Sequence, residues 1–351
     1  MNGSHEQYMQ RCLQLAALGS GAVAPNPMVG AVLVHERRII GEGYHARYGE
    51  AHAEVNCINS VHAEDRQLIQ QSTLYVSLEP CSHFGKTPPC ADLIIRERIP
   101  EVIIGCLDPF EQASGRGMKK LQEAGVKVQS GVLEKECRDL NKRFFCFQSS
   151  HRPYIILKWA QTADGIIGSN NGERLMITGA ETNRLVHRWR SEEAGILVGT
   201  NTALADDPLL DNRLWNGPAP VRLVLDKELR LPLSLRMFSG SESAVVFNFH
   251  RNDVSGAVKY HQLDKSKPVI PAIVEACYSM RLQSILVEGG AQLLAGFITE
   301  GLWDEARIIE NKSMKAGAGV KAPSLKGADL EQTEEINSDI IYHYLNKEAK
   351  Q

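Results

Sequence analysis

Short apolar runs alternate with stretches whose apolar positions recur at helical spacing, first over residues 28 to 132 and again from 154 onward. Residues 28–34 (MVGAVLV) read as a buried strand, and the charged turn HERR leads to a second strand at 39–45. Residues 51–62 carry helical spacing, 73–80 form a strand ending at Pro80, 90–99 an amphipathic helix and 101–109 a strand. A helix over 118–126, closed by Gly125 as its C-cap, precedes a strand at 126–132. Strands alternating with helices predict a three-layer α/β sandwich built from crossover units.

The pattern changes near 141–153, where the basic and aromatic segment NKRFFCFQSSHRP marks a boundary. A second α/β cycle follows: a strand into a turn from 154, a helix over 180–193, strand and turn over 195–204, and strands at 221–226 and 243–249. Residues 284–302 read as strand, glycine turn and helix. Beyond about 330 the expectation is one closing strand and a frayed, charged tail. The predicted domains are therefore 1–147 and 153–351.

A chain of 351 residues supports two such domains, and 43% hydrophobic residues suffice for two cores. The net charge of −3 disfavours a nucleic-acid partner. No run is long and apolar enough to cross a membrane. The N-terminal segment is polar and then helical in period, which reads as a first helix rather than a signal peptide. Eight thinly spread cysteines do not resemble a secreted disulfide framework, so the expected location is the cytoplasm. Cys57 and Cys106, inside apolar runs, read as core residues.

The chemistry concentrates in His52-Ala53-Glu54 and in the segment Pro80 to Cys90. Taken singly, a histidine on a helix and two thiols are ordinary. Together, one imidazole (His52) and two thiolates (Cys81, Cys90) are three zinc ligands that leave a fourth, tetrahedral position open, as in a catalytic site. Glu54 is then the proton carrier, which requires the site to lie off a helix end, because positions two apart do not share a helix face. An H-A-E ahead of a strand-ending P-C with a further Cys is a zinc-deaminase signature. His83 lies between the cysteines but would fill the open position.

The spacer sharpens this. Cys81-Ser82-His83-Phe84-Gly85-Lys86-Thr87-Pro88-Pro89-Cys90, with Ala24 to Gly30 (APNPMVG), Gly41 to His45 (GEGYH) and Gly49 to Glu54 (GEAHAE), resembles the pyrimidine deaminase family of riboflavin biosynthesis. The resemblance implies a cytidine-deaminase-like α/β/α domain. Its implied reaction is hydrolytic deamination of a diaminopyrimidine bearing a ribosylamino 5′-phosphate. It further implies that Asn26, His45, Lys86 and Asp108 contact this substrate. Phe110 stands where the family usually has asparagine.

Lys158 to Gly165 (KWAQTADG), the helix ending His187-Arg188-Trp189-Arg190, Gly199 to Leu210 and Val287 to Leu294 (VEGGAQLL) form a second ordered series. They resemble the riboflavin-specific reductases, which implies a dihydrofolate-reductase-like α/β domain, NADPH as cofactor, and reduction of the ribosyl chain to ribityl. By that resemblance Ala160, Met176, Thr202, Asp206 and the run Gly290, Ala291, Gln292, Leu293, Leu294, Ala295 and Gly296 contact the cofactor. Arg174, Arg190, Leu210, Arg213 and Glu288 face the substrate. Arginine suits a phosphate because its planar fork binds bidentately. The strand-to-helix turn at Gly289-Gly290 lets backbone N–H groups approach a phosphate. The absence of G-x-G-x-x-G after the first strand argues against a Rossmann site. Met176 lies in L-M-I-T where the family commonly has W-I-[ST], and Glu310-Asn311-Lys312-Ser313 replaces a proline-containing strand end. The expectation is a bifunctional zinc hydrolase and NADP-dependent oxidoreductase, acting on a small pyrimidine phosphate and assembling with copies of itself.

Overall fold

The computed structural model describes residues 3–82, 88–110, 115–170, 174–239 and 244–348. The chain divides into two compact units, Met1–His151 and Arg152–Gln351.

In the first unit α1 (Gly3–Ala17), β1 (Gly30–His35), β2 (Arg38–Tyr44), α2 (Ala53–Asn59), a 3-10 turn (Ala63–Gln71), β3 (Thr73–Leu78), α3 (Cys90–Arg96), β4 (Glu101–Cys106), α4 (Arg116–Glu123), β5 (Lys127–Ser130), α5 (Glu134–Leu140) and α6 (Lys142–Ser150) follow in order. The sheet order is β2-β1-β3-β4-β5, with β3, β4 and β5 parallel and β1 antiparallel to both its neighbours. Alternate residues of β1, β3 and β4 face opposite cores. Leu33, Leu74, Val76, Val102 and Ile104 pack under α2, α3 and α4 through Cys57, Ile94 and Leu121. Val32, Tyr75 and Ile103 pack under α1, α5 and α6 through Met9, Cys12, Cys137 and Phe145. Such two-faced burial is why these strands read as unbroken apolar runs. The segment expected to be a mere boundary is the helix α6, because Phe144 and Phe145 give it a face to bury.

The second unit contains β6 (Tyr154–Thr162), β7 (Ile166–Gly168), α7 (Ala180–Glu192), β8 (Gly195–Gly199), α8 (Thr200–Asp206), β9 (Val221–Leu225), a 3-10 turn (Arg236–Phe238), β10 (Ala244–Asn248), β11 (Asp253–Ser255), β12 (Val258–Gln262), α9 (Val269–Ser279), β13 (Ser284–Gly289), α10 (Ala291–Thr299), β14 (Glu305–Asn311), β15 (Val320–Lys321), β16 (Ala328–Ile336) and β17 (Asp339–Asn346). The main sheet runs β11-β12-β10-β9-β8-β13-β6-β14-β17-β16 and is parallel from β12 through β14. One face is covered by α9 and α10, through Ile273, Leu294 and Phe297 on Leu157, Leu197, Phe247 and Val287.

Two expectations are corrected here. The turn expected after 199 is the helix α8, whose Thr, Asn and Asp residues are weak helix formers; it is held by Ala203, fully buried against Val198 and Val224. The single closing strand and charged tail are a hairpin, β16 and β17, paired antiparallel from Ala328↔Asn346 to Ile336↔Asp339. The charges of β16 lie mostly in solvent on an edge strand, where they guard against edge-to-edge pairing.

Candidate functional site

In the first unit the sheet presents the site at the C-terminal ends of β3 and β4, the usual place for ligands in parallel α/β folds. Cys81 follows β3, and Cys90 opens α3. His52 occupies the N-cap position of α2 with extended backbone, so it and Glu54 reach one place from the helix end, as the spacing demanded. His52 Nδ1 lies 3.6 Å from Cys81 Sγ and 3.4 Å from Cys90 Sγ. All three donor atoms fall within 4.8 Å of one another. Tetrahedral zinc with ordinary Zn–N and Zn–S bonds sets an N···S separation of about 3.5 Å, so this donor set fits zinc. Cys81 Sγ also accepts the backbone N–H of Cys90 at 3.3 Å, which orients one ligand by the other's main chain.

The electrostatics agree with a soft-ligand site. The hydrogen bond from Cys90, and His52 beside it, pull the Cys81 thiol down to about 4, whereas the same pairing pushes Cys90 up. His52 is raised, chiefly by its hydrogen bond to Cys81. Glu54 is 3% exposed, and burial, then the Cys81 thiolate, lift its carboxyl to about 7. A bound dication would act in the opposite direction.

Asn26 and His45 stand together at this site. Asn26 Nδ2 lies 3.1 Å from His45 Nε2, and His45 Nδ1 lies 3.0 Å from the Ala51 carbonyl. A carbonyl can only accept, so Nδ1 carries the proton and Nε2 accepts from the Asn26 amide. Burial lowers the pKa of His45 and keeps the ring neutral. Its edge meets the His52 ring at 5.3 Å between centroids. Asp108 leaves β4 with its N–H on Glu79 Oε2 at 3.2 Å, and its own Oδ1 accepts from Phe110 N at 2.9 Å. Phe110 is 40% exposed. Lys86 and the rival ligand His83 lie outside the described residues.

In the second unit Ala160 lies in the last part of β6, Thr202 and Asp206 lie on α8 directly after β8, and Glu288 lies at the end of β13 with Gly290 directly after it. The extended Gly290 is the N-cap of α10. Leu294 N–H donates to Gly290 O at 3.1 Å, so the helix itself offers no acceptor to the amides of Ala291, Gln292 and Leu293. That is the donor set a dinucleotide phosphate needs. A Cβ on Gly290 would stand 2.9 Å from Thr202 Oγ1, so glycine is what lets α8 approach this turn. Further along the run, Leu293 and Leu294 pack into the core and Gly296 faces Ile270. Ala295 is exposed. Asp206 is raised by burial, with Arg174 acting against it. Ala160 pairs with Ile309 across β6 and β14. Met176 is 61% exposed beside the buried Ile177, whose carbonyl accepts from Asn311 Nδ2 at 2.7 Å.

Within the expected substrate group, Arg190 and Glu288 are paired with each other. The fork of Arg190 closes on Glu288, Nε to Oε1 and Nη2 to Oε2, both at 2.7 Å, and its Nη1 donates to Asp211 O. Arg213, half exposed, pairs with the Asp211 carboxylate and is the more accessible cation. Leu210 is 2% exposed within a core cluster, at φ 54°, so its backbone rather than its side chain is left for a ligand.

Comparison with known proteins follows the same division. Residues 2–106 match the cytidine and deoxycytidylate deaminase zinc-binding region, and residues 153–314 match the RibD C-terminal domain. The riboflavin biosynthesis protein RibD of Aquifex aeolicus is 38% identical over 90% of this chain and 89% of its own. That of Escherichia coli is 39% identical over 92% of this chain and 89% of its own. The chain belongs to the RibD family. A Thermotoga maritima crystal structure, described as a diaminohydroxyphosphoribosylaminopyrimidine deaminase/5-amino-6-(5-phosphoribosylamino)uracil reductase, superposes with a TM-score of 0.90 at 34% identity. It covers 98% of this chain and 99% of its own.

As a RibD protein the chain is a bifunctional deaminase and reductase of riboflavin biosynthesis, with a zinc-binding, cytidine-deaminase-like first domain and a second domain of the RibD reductase type. Sequence reasoning quoted Lys158 within a motif and gave it no role, and gave none to Glu79; the structure places both beside candidate residues. Lys158, 12% exposed, lies 3.9 Å from Glu288 Oε2, and burial lowers its pKa. Glu79, 5% exposed, accepts four backbone N–H groups. A lysine within an apolar strand was a usable signal for the first. Nothing local marks the second, whose partners lie 29 to 39 residues away.

Proposed function

We propose that residues 1–147 deaminate 2,5-diamino-6-ribosylamino-4(3H)-pyrimidinone 5′-phosphate and that residues 153–351 then reduce the ribosyl chain with NADPH, giving 5-amino-6-ribitylamino-uracil 5′-phosphate. The observation that carries the first step is the geometry of His52, Cys81 and Cys90 with the buried Glu54 beside them.

His52, Cys81 and Cys90 would hold zinc, which when bound would lower the pKa of a water toward neutrality so that it could give up a proton and serve as the nucleophile. Glu54 accepts a proton from the attacking water and returns it to the departing amine. Its burial among protein groups keeps that transfer out of bulk solvent. The neutral His45, oriented by Ala51 and Asn26, walls the site and presents the Asn26 amide toward the pyrimidine edge. Asp108 contacts the substrate from the end of β4, and Lys86 meets its phosphate.

For the second step the cofactor supplies the hydride, and the protein's part is seating and orientation. Ala291, Gln292 and Leu293 offer amides to a phosphate, with Thr202 and Asp206 on α8 alongside. Glu288, fixed by Arg190, faces the ribosyl chain, and Arg213 and Arg174 serve its phosphate. NADPH is preferred over NADH. The eight cysteines form no disulfide among the described residues, which supports the cytoplasm, and the net charge of −3 supports a small-molecule substrate over nucleic acid. The working form is an assembly of identical chains.

Mass spectrometry of products, with and without NADPH, tests the proposal. Without NADPH the expected product has exchanged an amine for oxygen; with NADPH it has also gained two hydrogens. No mass change in the first case sinks the deaminase half, and NADH serving as well as NADPH sinks the cofactor choice.

A further inference from the structure

Glu79 lies two residues before the ligand Cys81, and its carboxylate is taken up by backbone amides. Its Oε1 accepts from Gly117 N at 2.9 Å and Met118 N at 3.1 Å, while Oε2 accepts from Gly115 N at 2.9 Å and Asp108 N at 3.2 Å. A carboxylate has about four lone-pair sites, and here backbone amides take all of them. The Glu79 N–H itself donates to Cys106 O at 3.0 Å, continuing the β3–β4 ladder past Leu78↔Cys106.

Two of those amides belong to the first turn of α4, which has no acceptors of its own for them. The N-cap position is Gly115, in the left-handed region at φ 72°, with no side chain to do the work. Glu79 therefore caps α4 from another part of the chain, and its charge suits the helix N-terminus. The close approach is built in. A Cβ on Gly117 would stand 2.0 Å from the carbonyl oxygen of Pro80, the residue next to Cys81. One carboxylate thus fixes three things to the strand that delivers a zinc ligand: the exit of β4 at Asp108, the turn at Gly115 and the start of α4.

We propose that Glu79 is a positioning residue for the deamination, which sets the place of Asp108 relative to the zinc ligands and so the fit of the substrate between them. It touches neither metal nor substrate and acts through the backbone it holds. The inference rests on the reading of Asp108 as a substrate contact.

Glu79→Gln is the direct test. The amide keeps the size but replaces one acceptor oxygen with a donor facing N–H donors, which breaks two of the four bonds. The expected result is a rise in KM for deamination of about tenfold or more, with kcat changed far less. Zinc content and the reductase rate on supplied deaminated intermediate stay at wild-type values. An unchanged KM, or loss of zinc with the reductase intact, overturns the positioning role. Gly117→Ala displaces the same contact from the other side and is expected to raise KM in the same direction; it carries the test where the glutamine variant does not fold. Asp108→Ala measured alongside separates the two readings. If Asp108→Ala raises KM and the double variant adds little more, Glu79 acts through Asp108. If Asp108→Ala leaves KM unchanged, the Asp108 contact falls and the route from Glu79 through Asp108 falls with it; if Asp108→Ala raises KM while Glu79→Gln and Gly117→Ala do not, the contact stands and only the positioning role of Glu79 is overturned.

Discussion

Arg190 and Glu288 are joined by two parallel hydrogen bonds of 2.7 Å in the interior of the second unit, with side chains only 14% and 8% exposed. The pair holds Glu288 down to about 2 against the opposing effect of burial, with Lys158 adding to the attraction. Removing one partner leaves a buried charge without its counter-ion. We expect Arg190→Met or Glu288→Leu to cost the second unit about 3–5 kcal/mol, and the double variant to recover part of that. Denaturant unfolding with a double-variant cycle measures it; single variants that sum to the double would refute the coupling.

Glu54→Gln is expected to lower the deamination rate by at least about 10²-fold, because the amide cannot carry the proton. Zinc stoichiometry and reduction of the deaminated intermediate should match wild type. Retained deamination with zinc in place would remove Glu54 from the mechanism.

Chelation of zinc should abolish deamination and leave reduction intact, since the ligands all lie in the first unit. It should also lower the melting transition of that unit, as His52, Cys81 and Cys90 lose the ion that neutralises two clustered thiolates. A melting profile and both activities, before and after zinc is restored, check this; equal loss of reduction would contradict it.

His187 is 1% exposed, its Nδ1 has no hydrogen-bond partner among the described residues, and burial, with Arg190 and Arg213 nearby, holds its pKa down to about 4. Unfolded, it titrates near about 6.5, so as pH falls the unfolded chain takes up the proton first. The stability this residue contributes is complete above about pH 6.5 and is lost as pH falls toward about 4. We therefore expect the second unit of wild type to lose more thermal stability than His187→Gln between about pH 7 and about pH 4.5. Parallel pH slopes would exclude His187 as the source.

The zinc centre was legible because its chemistry is carried by residue types: a histidine and two cysteines at set spacings announce a metal wherever the fold places them. The parallel strands were legible because burial on both faces left unbroken apolar runs. What the sequence hid depends on distance or on weak local preference. The Arg190–Glu288 pair spans 98 residues, so nothing local in the sequence shows that these two candidate residues are joined. Helix α8 has poor helix formers and exists because Ala203 packs beneath it. Strand β16 carries the charges of a tail because it is an edge. Leu210 carries no sequence mark that separates a core side chain from a ligand contact.

The position of β6 has a consequence for how the chain assembles. This strand opens the second unit but lies inside the sheet, between β13 and β14. Its Tyr154 hydroxyl donates to Glu305, 151 residues later, and Ile155 N–H to Asp304. During synthesis the first unit can complete its sheet while β6 still waits for both neighbours to emerge. Contacts of such separation slow folding. The sheet of the first unit can thus close before synthesis ends, whereas the sheet of the second unit can close around β6 only once β13 and β14 have been made.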